Sequence, residues 1–446
     1  MRPTHLRSIS NALPVTRCQR RRLGVLAQHL EPTATRSRPE TIPLQAELPN
    51  TRRNADPYVL VGAELTHIRK NMLNLLGSAH PGLADMAEYY FLHPSKQLRS
   101  LLVLLFSRAT NGLGRRWETK HSDAVYESTS GQSEILDRPL KRPNVLNEWN
   151  PSMPDHTASF EHVFPLQQSI APTLPPFRPP SAHPITSCLV SPPFLLPTQI
   201  RLAQIVEMIH VASSLHENIA NTPEEEENGF GNKLSILGGD FLLGRASTAL
   251  SRLGESEVVE LVASVISNLV EGEILSMAQV KTPELGLIQG PTNLRDAWDA
   301  YLRKTYLKTA SLMAKGARSA VILGGSQEEV WSELAYAYGR NLGIAYQLVE
   351  DAADIRQIQP GLASAPALYA SATRPEMLPL IKRNFTSPGD TQLAAELMQN
   401  TPCVDQTLEL ARKYALAARH VLGELPESEA RTALETLTDT VVERSW

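Results

Sequence analysis

Gly343-Ile344-Ala345-Tyr346-Gln347-Leu348-Val349-Glu350-Asp351-Ala352-Ala353-Asp354 closes a long segment that begins near Gln327. Apolar residues recur through it at three and four spacing, the pattern of a helix with one buried face. Its last turn changes character. Glu350 and Asp354 stand four apart, so they share a helix face, and Asp351 lies beside them. Three carboxylates at one helix end can hold Mg2+ against a diphosphate, because that ion takes oxygen ligands and typically combines one or two carboxylates with substrate phosphates. The same triplet also describes a solvated helix end with ordinary surface acids. Spacing alone leaves both readings open.

Outward from this segment, the same periodicity runs through Ile200–Leu215, Lys233–Leu253, Glu257–Val280 and Asn293–Leu323. It returns nearer the N-terminus in Tyr58–Leu76 and Leu83–Ala109. Gly and Pro punctuate the joins, at Gly238–Gly239, Pro283, Gly290–Pro291 and Gly324–Gly325. Alternating β-branched runs are nearly absent, and no repeat of solenoid period occurs. The expected class is all-α, a bundle of long helices. Between Pro139 and Pro197 lie 14 of the chain's 33 prolines. Proline lacks a donor and disfavours helix interiors. Residues 111–198 are therefore expected to be a Pro-rich, mostly disordered insertion, dividing one helical domain into parts at 56–110 and 199–446.

The net charge of −4 is close to balanced, which argues against a nucleic-acid partner with its need for a basic face. Cys18, Cys188 and Cys403 form neither a metal knuckle nor a disulfide framework, as fits a reducing compartment. No run of 18 apolar residues exists, so no transmembrane helix is expected. Six arginines (2, 7, 17, 20, 21 and 22) precede the first acid, Glu31. An Arg-rich, acid-poor leader of this kind is expected to be a mitochondrial transit peptide, with a linker to residue 55. A plain basic tail has the same composition.

Several segments follow one another in a recognisable order. Residues 343–354 resemble the motif G-x-A-F-Q-L-x-D-D-x-x-D. Ser95-Lys96-Gln97-Leu98-Arg99 stands where G-K-x-x-R-P is expected. Ile209-His210-Val211-Ala212-Ser213-Ser214-Leu215-His216 is similar to I-H-x-A-S-L-L-H. Gly231-Asn232-Lys233 precedes Gly239-Asp240-Phe241-Leu242-Leu243, and Leu269-Val270-Glu271-Gly272-Glu273 and Lys308-Thr309-Ala310-Ser311-Leu312 complete the set. Together they resemble the trans-polyprenyl diphosphate synthases, the wider family of farnesyl and geranylgeranyl diphosphate synthases, over residues 57–110 and 199–446.

The resemblance implies a bundle of long antiparallel helices around a deep apolar cavity. It implies transfer of a prenyl group, with Mg2+ as cofactor and isopentenyl diphosphate and an allylic diphosphate as substrates, the product serving as the ubiquinone tail or a specialised isoprenoid. Carried over by position, Lys96, Arg99 and His210 match the isopentenyl diphosphate site. Lys308, Thr309 and Gln347 match residues that contact the allylic diphosphate, with Lys308 and Gln347 the catalytic candidates. Glu350, Asp351, Asp354 and Glu217 match metal ligands. The family works as homodimers or as unlike subunits.

Besides the shortened loop after Asp354 and the Ser95 and Ser100 that replace Gly and Pro around Lys96 and Arg99, two departures from the pattern bear on the allylic site. Where the family has H-D-D-x-x-D, this chain has His216-Glu217-Asn218-Ile219-Ala220-Asn221, so one carboxylate and two amides replace three carboxylates. The R-R-G turn that follows in the family, with the arginine that clamps the allylic diphosphate, is replaced by Thr222 to Phe230, which carries four glutamates and no arginine. Two functions follow: a prenyltransferase with altered metal use, or a non-catalytic subunit of a heteromeric synthase. A duplicate that keeps only the fold is a third reading.

Overall fold

Asp56 opens the first helical stretch. Its carboxylate accepts from the Tyr58 and Val59 amides at 2.8 and 3.4 Å, and Pro57 occupies the first turn, where its missing N–H costs nothing. The computed structural model describes residues 55–77, 80–92, 97–130, 136, 195–217, 231–277, 281–282, 286–287, 290–326, 329–355, 358–399 and 401–443. The leader, most of the Pro-rich insertion, Lys96, Asn218, Asn221 and Glu224 to Glu227 lie outside the described residues.

The helices in chain order are α1 (Pro57–Leu60), α2 (Gly62–Leu76), α3 (Pro81–Leu92), α4 (Leu98–Thr110), α5 (Trp117–Ser130), α6 (Pro197–Glu217), α7 (Gly231–Ser251) and α8 (Ser256–Ser276). Then come α9 (Leu294–Thr305), α10 (Ser311–Leu323), α11 (Glu329–Ala353), α12 (Ala365–Thr373), α13 (Met377–Lys382), α14 (Asp390–Gln399), α15 (Cys403–Val421) and α16 (Glu429–Val442). A two-residue hairpin pairs Lys281–Thr282 with Gly286–Leu287. The fold is all-α, as the periodicity predicts. No described helix is long and apolar enough to cross a membrane.

Three expected boundaries shift. Tyr58–Leu76 is broken at Val61, which leaves the helical region (φ −124°, ψ 23°). Leu83–Ala109 is two helices: α3 ends at Leu92 and α4 starts at Leu98, after Gln97 in left-handed backbone (φ 42°), unfavourable for a residue with a Cβ. Asn293–Leu323 is interrupted by a π-helical segment, Tyr306–Ala310, between α9 and α10. Gly238 and Gly239, expected at a join, lie inside α7. They are buried there because a Cβ at Gly239 would fall 2.2 Å from His216 Nε2, so the glycine lets α6 and α7 close up.

Helix α5 lies inside the stretch assigned to the insertion, so the folded body continues beyond residue 110. Its Lys120 pairs with Glu255 at 3.1 Å. The preceding Asn111 exchanges two hydrogen bonds with Gln199, at 2.9 and 2.8 Å. The proline density that marked the insertion begins only at Pro139, so it carried no information about residues 111–138.

Helix α6 runs through the centre. Most of its residues are buried, including Gln199, Arg201, Gln204 and Glu207. Gln199 also accepts from the Leu196 amide and donates to the Ala320 carbonyl, so this buried amide is satisfied at both ends. One apolar core joins α2, α3, α4, α6, α7, α8, α10 and α16, and it includes Leu334 to Leu342 of α11. A second core joins α9, α12, α13, α14 and α15 to the later turns of α11. The π segment meets α11 where the two cores adjoin, and that junction holds the polar residues described next.

Candidate active site

Lys308 projects from the π segment between the C-terminal end of α6 and the last turn of α8. Its Nζ lies 2.6 Å from Glu273 Oε2 and 3.2 Å from Glu217 Oε1. Gly272 makes room for it: a Cβ there would sit 2.6 Å from Lys308 Cγ. Burial alone would lower the Lys308 pKa, but Glu217 and Glu273 outweigh it and hold the ammonium above its usual range. Widening the helix by a π turn shifts the phase of the residues beyond it, a device frequent at functional sites.

A second polar chain starts on the next residue. Thr309 Oγ1 donates to Gln347 Oε1 at 2.8 Å, and Gln347 Nε2 donates to Asp351 Oδ1 at 2.8 Å. The other Asp351 oxygen accepts from the Ala365 amide at 3.4 Å. The Gln347 amide is thus locked in orientation between a donor and an acceptor. Asp354 is exposed and Glu350 half-buried at the end of α11.

The residues matched to isopentenyl diphosphate form a separate group. Arg99 and Ser100 open α4, and Glu207 and His210 stand one turn apart on α6. Ser100 Oγ lies 2.8 Å from the Ala203 carbonyl and 3.1 Å from Glu207 Oε2. Burial pushes the Glu207 carboxyl up, against the pull of Arg99, Ser100 and Arg69. Burial and then Arg99 hold the His210 imidazole well below its ordinary range, so it is neutral at pH 7. Arg99 Nε is buried without a partner among the described residues. His210 and Glu217 are seven residues apart, two helical turns, so they share one face of α6 about 10 Å apart along the axis.

Among the described residues no group of three or more His, Cys, Asp and Glu gathers tightly enough to hold a metal by itself. The donors on the two walls differ. Glu217 is occupied by the Lys308 ammonium. Glu350, Asp351 and Asp354 are hard oxygen donors on one helix end, suited to Mg2+ bound through one or two carboxylates together with phosphate oxygens. The set fits the ion on the α11 wall and in that mode only.

The structure brings together Lys308 with Glu217, and Thr309 with Gln347 and Asp351, and it groups Arg99 with His210. Sequence reasoning assigned no role to Glu273, Glu207, Tyr301 or Lys304. Two signals were present. Glu207 precedes His210 by three, and Lys304-Thr305 repeats Lys308-Thr309 one turn earlier.

Comparison with known proteins identifies the family. The polyprenyl synthetase family model matches residues 178–365, a span that includes Glu217, Lys308 and Asp354. The chain is 37% identical over 397 residues to a probable mitochondrial hexaprenyl pyrophosphate synthase of Neurospora crassa, covering 85% of this chain and 79% of that one. It is 34% identical over 456 residues to the mitochondrial hexaprenyl pyrophosphate synthase of Saccharomyces cerevisiae, covering 87% and 90%. Its fold superposes on the crystal structure of a decaprenyl diphosphate synthase from Rhodobacter capsulatus with a TM-score of 0.57 at 21% identity, over 87% of this chain and 98% of that one. Helical architecture, motif order and identity sustained over most of both chains lead to one assignment: the chain belongs to the polyprenyl synthetase family.

Proposed function

We propose that this chain is a mitochondrial trans-prenyltransferase that joins isopentenyl diphosphate to an allylic diphosphate, supplying the polyprenyl tail of ubiquinone. The observation that carries the reading is the oriented chain Thr309–Gln347–Asp351 beside Lys308, at the mouth of α11, with Arg99 and His210 on a neighbouring face. The relatives are named as synthases, which favours catalysis over the role of an inactive subunit.

In this reaction the allylic C–O bond breaks and its electron pair leaves with the diphosphate. The isopentenyl double bond attacks the allylic carbon, a C–C bond forms, and a proton is lost from the isopentenyl unit. Lys308 and Gln347 bind the leaving diphosphate, where negative charge grows in the transition state and fixed donors lower the barrier most. Lys96, Arg99 and His210 hold the isopentenyl diphosphate, Arg99 through a charge-assisted fork and His210 as a neutral N–H donor. Mg2+ held by Asp354, Asp351 and Glu350 with the substrate's phosphates would neutralise the leaving group. An apolar cavity beside them would keep water from the reacting carbons.

The test is incorporation of labelled isopentenyl diphosphate into solvent-extractable product by purified chain with Mg2+ and farnesyl or geranylgeranyl diphosphate. Extended product is expected. A folded protein that makes none with any allylic primer, and binds none, would sink the reading.

A further inference from the structure

On α11, Tyr336, Arg340 and Ile344 stand four apart and share one helix face, with Asn341 beside them. That face lines a pocket of about 500 Å3, whose other walls are Tyr306 of the π segment and Tyr414 of α15. The volume falls within the range of small-molecule sites, about 300–1,000 Å3. The lining shares no residue with the Lys308 ion pairs or with the Thr309–Gln347–Asp351 chain.

Most polar groups of this pocket find no partner on the protein. The Tyr306 and Tyr336 phenols share a hydrogen bond at 2.7 Å. Burial, then the Tyr336 phenol, lift the Tyr306 pKa, and the nearby Arg340 guanidinium pulls against them. The lining contains no carboxylate. Among the described residues Arg340 makes no ion pair within 4 Å and no hydrogen bond, and the Tyr414 hydroxyl and the Asn341 amide make no hydrogen bond either. Asn341 is only 8% exposed, and it lines the pocket. A polar side chain buried to that degree is normally hydrogen-bonded.

The class of ligand follows from these groups. A guanidinium with no carboxylate of its own, beside an amide and phenols that can donate, takes an anion. Three tyrosine rings and Ile344 give flat apolar walls, which suit an aromatic ring. A diphosphate fits poorly, because it carries more charge than one guanidinium balances and no carboxylate stands by to bring Mg2+. A single carboxylate on an aromatic ring matches both the charge and the walls.

We propose that the pocket between Tyr306, Arg340 and Tyr414 binds an aromatic carboxylate, with Arg340 forked onto the carboxylate, Asn341 donating beside it and the ring lying among the tyrosines. It is a second ligand site and stands apart from the prenyltransferase reading. Tyr306 is two residues from Lys308 and Ile344 three from Gln347, so an occupant touches both segments that carry the reaction residues.

The experiment measures binding of 1-naphthoate, of its neutral counterpart 1-naphthalenemethanol and of inorganic phosphate to the full chain by calorimetry, for wild type, R340Q and N341L, with the Tm of each. Wild type should bind one 1-naphthoate, and the alcohol and phosphate each at least about 10-fold more weakly, the scale of one charge-assisted hydrogen bond. R340Q should lose about 10-fold for naphthoate and N341L about fivefold. Arg340 is exposed, so R340Q should keep its Tm, and it decides the matter if N341L does not fold. One naphthoate per chain should still bind with farnesyl diphosphate and MgCl2 at saturation. Folded wild type that binds no naphthoate, R340Q that binds it equally well, phosphate that binds as tightly, or farnesyl diphosphate that excludes it each overturns the assignment. A loss in R340Q that comes with a lowered Tm means that Arg340 serves the fold, and overturns it too. A chain that binds naphthoate but no farnesyl diphosphate supports this site and counts against the prenyltransferase reading alone.

Discussion

Lys308 shows how magnitude separates a catalytic effect from a structural one. Its partners Glu217 and Glu273 are 43% and 38% exposed, so water can solvate them if the ammonium is removed. Exposed ion pairs contribute about 0–1 kcal/mol to stability. A donor aimed at growing charge is worth about 2.7–4 kcal/mol in the transition state. Lys308→Ala is therefore expected to leave the Tm within a few degrees while lowering kcat about 100- to 1000-fold, measured by product formation and thermal unfolding on one preparation. His210 gives the pH counterpart. Its native pKa lies well below the unfolded value of 6.5, so below about pH 6.5 the unfolded chain takes up a proton that the native chain refuses. Stability should fall as the pH drops from 7 to 5. Glu207, with its raised native pKa, contributes the opposite slope, so the comparison that isolates the imidazole is wild type against His210→Asn. The urea midpoint of the variant should lose less between those pH values. This site was partly legible in the sequence, because Arg99, His210, Lys308 and Gln347 sit in short local motifs. Glu273 stands in the Leu269–Glu273 stretch, but its pairing with Lys308, 35 residues away, was not legible, because tertiary packing makes that pair.

At the scale of elements, Tyr338 ties α11 to α4 and α16. Its ring packs edge-on to Phe106, with centroids 5.2 Å apart, and its hydroxyl donates to the Leu434 carbonyl at 2.7 Å. Thr438 Oγ1 donates to the same carbonyl at 2.8 Å. Removing the Tyr338 hydroxyl therefore leaves no orphaned acceptor, and the loss should be the net value of one hydrogen bond, about 1 kcal/mol, rather than the larger penalty of an unsatisfied group. Tyr338→Phe is expected to lower the denaturant midpoint by that amount with an unchanged m-value. Helix content was readable here because α11 repeats its apolar residues without interruption. The π segment was not, since one wider turn inside an apolar run leaves the period almost intact. The break between Leu92 and Leu98 did carry a signature, Pro94, which the continuous reading of Leu83–Ala109 ran through.

Over the whole molecule, α8 leaves much of its apolar surface uncovered. It runs for 21 residues yet buries only Val258, Val262, Val265 and Gly272. Val270, Ile274 and Met277 remain 54%, 46% and 50% exposed, and Ile236 and Leu237 of α7 are exposed as well. An apolar stripe on two successive helices is the surface that a second chain would cover. The 257–276 stripe reads from sequence as core or interface without a choice between them, because periodicity reports that a face is apolar and not what lies against it. Association through α7 and α8 predicts that the wild type runs in solution at a multiple of its 49.2 kDa mass. The double variant Val270→Glu with Ile274→Glu puts two charges where desolvation would be required, and it should run near 49.2 kDa with its helical signal unchanged. Light scattering on both proteins decides this. A wild-type chain that is monomeric alone but shifts on addition of an intact synthase would make the covering partner an unlike subunit, and a monomer under both conditions would leave α8 without an interface.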